Sequence, residues 1–243
     1  MCNRYVSPDA AAIERHWQLR SGGLPWPRRE VFPRSQGAFI RALSKGAPRP
    51  AGPAVPHGDP SSPAKPDLPT TGESELAVGQ WALIPWFAKT PKLSYSTNNC
   101  RWETVASAAS FKQAWARGQR CIIPAELFFE PNWESGKNEW WAFRRADGRP
   151  WGLAGLWDIW LDKASGELVE SYTMLTMNAD AHPLMKRMHK PDPSLGPDQQ
   201  DKRSVVVIEA DESEVWLHGA AQEAAALVRL APVTLFQAGP QVV

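Results

Sequence analysis

The stretch NEWWAFRRADGRPWGLAGLWDIW, residues 138–160, decides the fold class. Two runs rich in aromatic and branched residues flank Asp147-Gly148. Such runs favour strands, and Asp-Gly between them signals a hairpin. Residues 138–145 and 151–160 are therefore expected as two strands joined by a tight turn. Residues 168–177 follow as a further strand after a turn at Gly166.

Outward from this core, residues 120–130 (RCIIPAELFFE) read as a strand broken at Pro124. Residues 78–84 (VGQWALI) are a strand ending at Pro85, residues 203–209 (RSVVVIE) are a buried strand, and a last strand falls near 231–236. Residues 30–43 are extended, interrupted by Pro33 and Gly37. Helices are expected over 8–19, with Ser7 as N-cap and Pro8 in the first turn, over 103–117 in two pieces, and near 183–189, 211–218 and 221–228. Many antiparallel strands and few peripheral helices make an α+β fold. Residues 46–74 are dense in Pro, Gly and Ser and almost free of large apolar side chains. They cannot bury a core and read as a surface insertion in one domain spanning 2–240.

Composition sets limits on function. The 27 Lys and Arg against 26 Asp and Glu leave a net charge of +1, which excludes a binder that coats DNA by charge alone. Three cysteines without a CxxC spacing argue against a disulfide scaffold and a zinc site. No cofactor or metal is expected. No apolar run approaches a membrane span, and residues 1–10 (MCNRYVSPDA) form no secretory signal. The expected location is the cytoplasm, at the nucleoid when bound to DNA. Thirteen tryptophans exceed what a core demands, so one or two can stack on a flat ligand.

Cys2 is the most informative position. Removal of Met1 exposes an amine and a thiol on adjacent carbons. An α-amine has a pKa of about 7.7–8, so a useful fraction is neutral and attacks an aldehyde to give a Schiff base. The thiol then closes a five-membered thiazolidine, which no internal cysteine can do. Alone, Cys2 reads rather as a chance residue after the start codon. Glu130 ends the apolar run Leu127-Phe128-Phe129. Burial there is expected to raise its pKa towards a working acid–base value. Arg101 can pair with Glu103 or grip a phosphate. Arg4, Lys112, Arg117, Arg120, Lys186 and Arg187 suggest a local basic track, with Trp81, Trp86, Trp102 and Trp133 near it in sequence.

Five segments, taken in order, resemble the SRAP family, the SOS-response-associated peptidase or abasic-site-processing family. They are residues 1–5 (MCNRY), 81–86 (WALIPW), 99–104 (NCRWET), 121–130 (CIIPAELFFE) and 183–189 (PLMKRMH). The resemblance implies a β-rich domain, binding of single-stranded DNA, a thiazolidine crosslink from Cys2 to abasic sites, and autoproteolytic exposure of Cys2. It selects Asn99 as the site asparagine, over a turn residue, and His189 rather than His182, seven residues away. Asn3, Pro131, Trp102 and the stretch from Lys190 to Lys202 depart from the family's usual residues. The candidate catalytic set is then Cys2, Asn99, Glu130 and His189. The candidate DNA contacts are Arg4, Arg101, Trp81 and Trp86. The expected partner of this monomer is single-stranded DNA carrying an abasic site, and weak lyase activity is compatible with a Schiff base. A thiol (auto)peptidase and a non-covalent reader of modified bases are the rivals.

Overall fold

The computed structural model describes residues 2–19, 29–43 and 73–241. The Pro-rich segment expected as a surface insertion lies almost wholly outside them. Twelve strands and four short α-helices are described, an α+β fold built mainly from antiparallel pairs. The strands are β1 (Tyr5–Val6), β2 (Glu30–Val31), β3 (Gln36–Ala42), β4 (Ser74–Trp81), β5 (Asn99–Arg101), β6 (Arg120–Ala125), β7 (Leu127–Asn132), β8 (Glu139–Arg145), β9 (Trp151–Leu161), β10 (Leu168–Asn178), β11 (Arg203–Val205) and β12 (Phe236–Pro240). The helices are α1 (Ala10–Trp17), α2 (Lys112–Ala116), α3 (Ser213–His218) and α4 (Ala221–Ala226).

Two sheets share the strands. One runs β12-β8-β7-β1-β2. The other runs β11-β10-β4-β3-β6-β9, and β9 pairs again with β10, closing β10-β4-β3-β6-β9 into a ring. Two pairings depart from the antiparallel expectation: β10 runs parallel to β4, through Ser171 and Gln80, and to β5, through Leu175 and Cys100.

Alternation along the ring strands splits the core in two, because successive side chains point to opposite faces. Phe39, Cys121, Ile123, Leu153 and Trp157 face a cluster shared with Tyr5, Trp81, Phe128, Phe143 and Trp151. Their neighbours Ala38, Ile40, Ile122, Ala154 and Leu156 face a second cluster with Ile13 and Trp216. The first cluster mortars ring to open sheet, with Phe128 and Phe143 stacked at 5.0 Å. The second seats α1 and α3.

Several boundaries move. Helix α1 starts at Ala10 because the Asp9 carboxylate accepts from Ala12 N at 2.8 Å, whereas Ser7 is buried and its amide goes to Arg29 O. β6 runs through Pro124, which still pairs with Gly152, and the break falls at Glu126, where the chain leaves the ring for the other sheet. The turn at Gly148 forms, with φ +73°, but β8 and β9 do not pair. β8 lies between β7 and β12, and β9 between β6 and β10. Arg145, 3% exposed, pairs with Asp147 at 2.7 Å and Glu209 at 2.8 Å, so the turn is a corner between sheets. Residues 185–187 form a single 3-10 turn rather than a helix, and the last strand begins at Phe236.

Candidate active site

Tyr5 of β1 pairs with Phe128 of β7 in antiparallel register. Continuing three residues each way sets Cys2 level with Pro131, beside Glu130. Cys2 is fully buried, with Sγ 3.5 Å from Arg4 O. Burial, and then the Glu130 charge, push its thiol well above the ordinary value.

Asn99 opens β5, and its Nδ2 donates to Cys2 O at 2.8 Å. Asn98 adds a longer donation to the same carbonyl at 3.3 Å and one to Asn3 Oδ1 at 3.0 Å. The second amide is a residue that sequence reasoning passed over as part of a turn. Its signal was the Asn98-Asn99 pair itself, two side-chain amides next to each other. Asn98 O in turn accepts from Met174 N at 3.0 Å and from the Trp81 indole at 2.8 Å. Asn99 Oδ1 is buried and has no hydrogen-bond partner among the described residues.

Glu130 on β7 is 1% exposed, and its Oε2 lies 2.7 Å from His189 Nε2. The expected upward shift does not occur. Burial does push the Glu130 carboxyl up, but the positive charge at the chain's amino terminus and that of His189 outweigh it and hold it below the ordinary value. Glu130 is thus a carboxylate at neutral pH. His189 follows the 3-10 turn, and its amide donates to Pro131 O at 2.6 Å. Its φ of +64° puts a non-glycine residue in the left-handed region, where strain persists only if surroundings enforce it.

His182 stands elsewhere. It is 5% exposed, with Nε2 2.9 Å from Ala231 O, while Nδ1 accepts from Leu184 N at 3.2 Å and Met185 N at 3.0 Å. These bonds tie the 3-10 turn to the chain before β12.

The four expected DNA contacts separate. Trp81 is fully buried and packs edge-on against Tyr5 at 5.1 Å. No face of its ring is open to a base, so it is corrected to a support for Asn98. Trp86 is 59% exposed. Arg4 lies over the Phe129 ring at 4.0 Å and pairs with Glu30. Arg101 pairs with Asp201 at 2.6 Å and not with Glu103, whose carboxylate binds Arg203. Arg120 leaves the basic track: it is 3% exposed and donates to Trp216 O and Gly219 O. A cleft of about 420 Å³ opens beside Asn3 and Asn98, lined also by Arg34, Leu93 and Tyr95. Among the described residues no group of three or more His, Cys, Asp or Glu gathers to hold a metal, and no helix is long and apolar enough to cross a membrane.

The sequence pattern of the family described as SOS response associated peptidase (SRAP) matches residues 1–240. The chain belongs to the SRAP family. Among its SRAP-related sequences is the Abasic site processing protein HMCES of Xenopus tropicalis, 31% identical over 147 residues, covering 51% of this chain and 43% of that protein. Abasic site processing protein YobE of Bacillus subtilis (strain 168) is 31% identical over 130 residues, covering 53% of this chain and 58% of that one. The chain thus spans about half the length of these relatives. A crystal structure of a Bordetella bronchiseptica protein superposes with TM-score 0.78 at 32% identity, each chain fully covered. One from Bacteroides thetaiotaomicron, with TM-score 0.62 at 20% identity over 98% of this chain and 91% of that one, shares the SRAP fold.

Proposed function

We propose that this SRAP protein acts in DNA damage, joining Cys2, freed of Met1, to the aldehyde of an abasic site in single-stranded DNA. The observation that carries the reading is the packing of Cys2 between the Asn98–Asn99 amides and the Glu130 carboxylate, with His189 2.7 Å from that carboxylate. The names of the relatives above supply the class of lesion.

The chemistry balances in three steps. Hydrolysis of the Met1–Cys2 peptide consumes one water and frees the amine, through an aminopeptidase or the site itself. The amine nitrogen then bonds to the aldehyde carbon, and water leaves as the imine forms. Sγ adds to the imine carbon, and the thiol proton passes to nitrogen, closing the thiazolidine. Glu130, as a carboxylate, stabilises the cationic amine and iminium. The His189–Glu130 pair relays the proton that opens the sugar ring, with Nε2 2.7 Å from the carboxylate. Asn98 and Asn99 hold the Cys2 carbonyl and so aim the amine. Asn99 Oδ1, without a hydrogen-bond partner among the described residues, can accept from the sugar's freed hydroxyl. The same imine permits weak β-elimination, a lyase activity.

Trp86, Arg4 and Arg101 are the proposed DNA contacts, and Arg101 must leave Asp201 to reach a phosphate. The protein works as a monomer, one domain over 2–240, in the cytoplasm and at the nucleoid when bound. Burial of the Cys2 thiol disfavours a protease acting on other chains, which needs a thiolate open to a substrate.

Intact mass and denaturing gels, after mixing with an abasic single-stranded oligonucleotide, test the reading. Wild type should lose Met1 and give a heat-stable adduct, and Cys2→Ala should give none. An unchanged stable adduct in Cys2→Ala would sink the mechanism. Binding without any adduct from wild type would favour the non-covalent reader.

A further inference from the structure

The chain between His189 and β11 makes an exposed excursion, and its two ends meet at the site. Lys202, where it returns, is only 6% exposed. Buried lysines are rare unless paired. The Lys202 ammonium donates to Met188 O at 2.8 Å and His189 O at 2.6 Å. Its own backbone is fixed from both sides: Lys202 N donates to Asp180 Oδ1 at 2.8 Å, and Lys202 O accepts from Ala179 N at 2.6 Å.

His189 is therefore gripped twice. Pro131 O takes its amide and Lys202 takes its carbonyl. These opposed bonds hold it at φ +64°, a conformation that a free chain leaves. Its ring then points Nε2 at Glu130. Met188, held by the same ammonium, bridges to Asn132 at the end of β7. The clamp so ties the histidine's loop to the strand carrying the carboxylate.

We infer that Lys202 is a positioning residue that sets the His189 imidazole against Glu130 by clamping the carbonyls of residues 188 and 189. Its effect on rate rests on the Cys2 reading above; the clamp itself does not. Burial lowers the Lys202 pKa, and the Met188 and His189 carbonyls replace part of the solvation its ammonium loses.

The test is a double-mutant cycle of K202M and H189A, with single-turnover adduct formation on abasic single-stranded DNA. A misplacement of about 1 Å slows chemistry by about 10²-fold. K202M should slow adduct formation between about 10- and 100-fold and leave the Kd for an undamaged oligonucleotide within about twofold. In the H189A background the same substitution should have little further effect, since coupled residues are non-additive. Equal slowing in both backgrounds would overturn the inference. If wild type forms no adduct, the Cys2 reading fails, and the clamp is read by NMR instead. K202M should then move the His189 ring signals and leave those of His218 in place. Unmoved His189 signals overturn it. Should K202M fail to fold, K202Q, which keeps an amide donor, is read by the same measurements.

Discussion

On β7, burial and charge pull the Glu130 carboxyl in opposite directions, and charge prevails. The run from Leu127 to Phe129 told of burial, and burial alone raises a carboxyl pKa. The opposing charges come from His189, fifty-nine residues away, and from the chain's amino terminus, neither of which local composition reveals. Because Glu130 is held below its ordinary value of 4.5, it stays ionised between about pH 5 and 8. Glu130→Gln should then lower the rate of adduct formation by about 10²–10⁴-fold at every pH from 5 to 8. Rates of wild type and variant measured across that range check this; a variant within about tenfold of wild type throughout would contradict it. The two histidines divide differently. His182→Ala removes one bond to Ala231 O and two from backbone amides, so it should cost on the order of 2 kcal/mol or more of stability. Chemical denaturation measures that loss, and the adduct rate of the folded fraction should stay normal. The chemistry open to Cys2 was legible from position two, but only the family's other segments favoured it over a chance residue. His189 needed the family's segment order, and Lys202 was invisible because its partners are backbone atoms.

Strand existence was legible and strand pairing was not. β6 and β9 are visible in sequence as nearly continuous apolar runs, because each strand buries both faces, in different clusters. The Asp147-Gly148 turn was legible too, but a tight turn dictates only that the chain reverses. Where β8 and β9 go next depends on β7 and β10, distant segments that compete for their edges. The corner rests on Arg145. Asp147 lies below the ordinary carboxylate range, first because Arg145 donates to it. Its contribution is therefore full above the unfolded value of about 3.9 and is lost as pH falls through the lower folded value. Thermal melts from pH 6 down to pH 2 should show wild type losing stability below about pH 4, and Asp147→Asn, less stable at pH 6, losing less over that span. β3 carries a second local test. A Cβ on Gly37 would lie 2.0 Å from the Tyr172 hydroxyl and 2.6 Å from that of Tyr5, two phenols that bond each other at 2.6 Å. Gly37→Ala should destabilise by about 1–3 kcal/mol through overpacking, and Tyr172→Phe in the same chain should recover part of it. Urea unfolding of the single and double variants reads both values.

At the scale of the molecule, charge is locally spent. Arg4, Arg101 and Arg187 sit on Glu30, Asp201 and Glu134, so these arginines near the site are already neutralised by carboxylates. Affinity for single-stranded DNA should fall with salt at about −0.7 per phosphate contact, with only a few contacts in total. Titrations at several salt concentrations measure the slope, and one implying ten or more contacts would contradict this picture. Net charge was readable from composition; the pairing that hides the arginines was not, because every partner is distant in sequence.

The closed ring also constrains how the protein comes into being. Gln80 of β4 meets Ser171 of β10, so closure waits for 91 further residues (171 − 80) to leave the ribosome. At translation speeds of 5–20 residues per second that delay is about 5–18 s. Throughout it β4 has one edge without its strand, the kind of template on which nascent chains mispair. His189 emerges later still, so Cys2, made first, waits longest for its surroundings. A newborn chain therefore carries an exposed thiol for many seconds before the fold conceals it, and the yield of active protein depends on what shelters that thiol meanwhile.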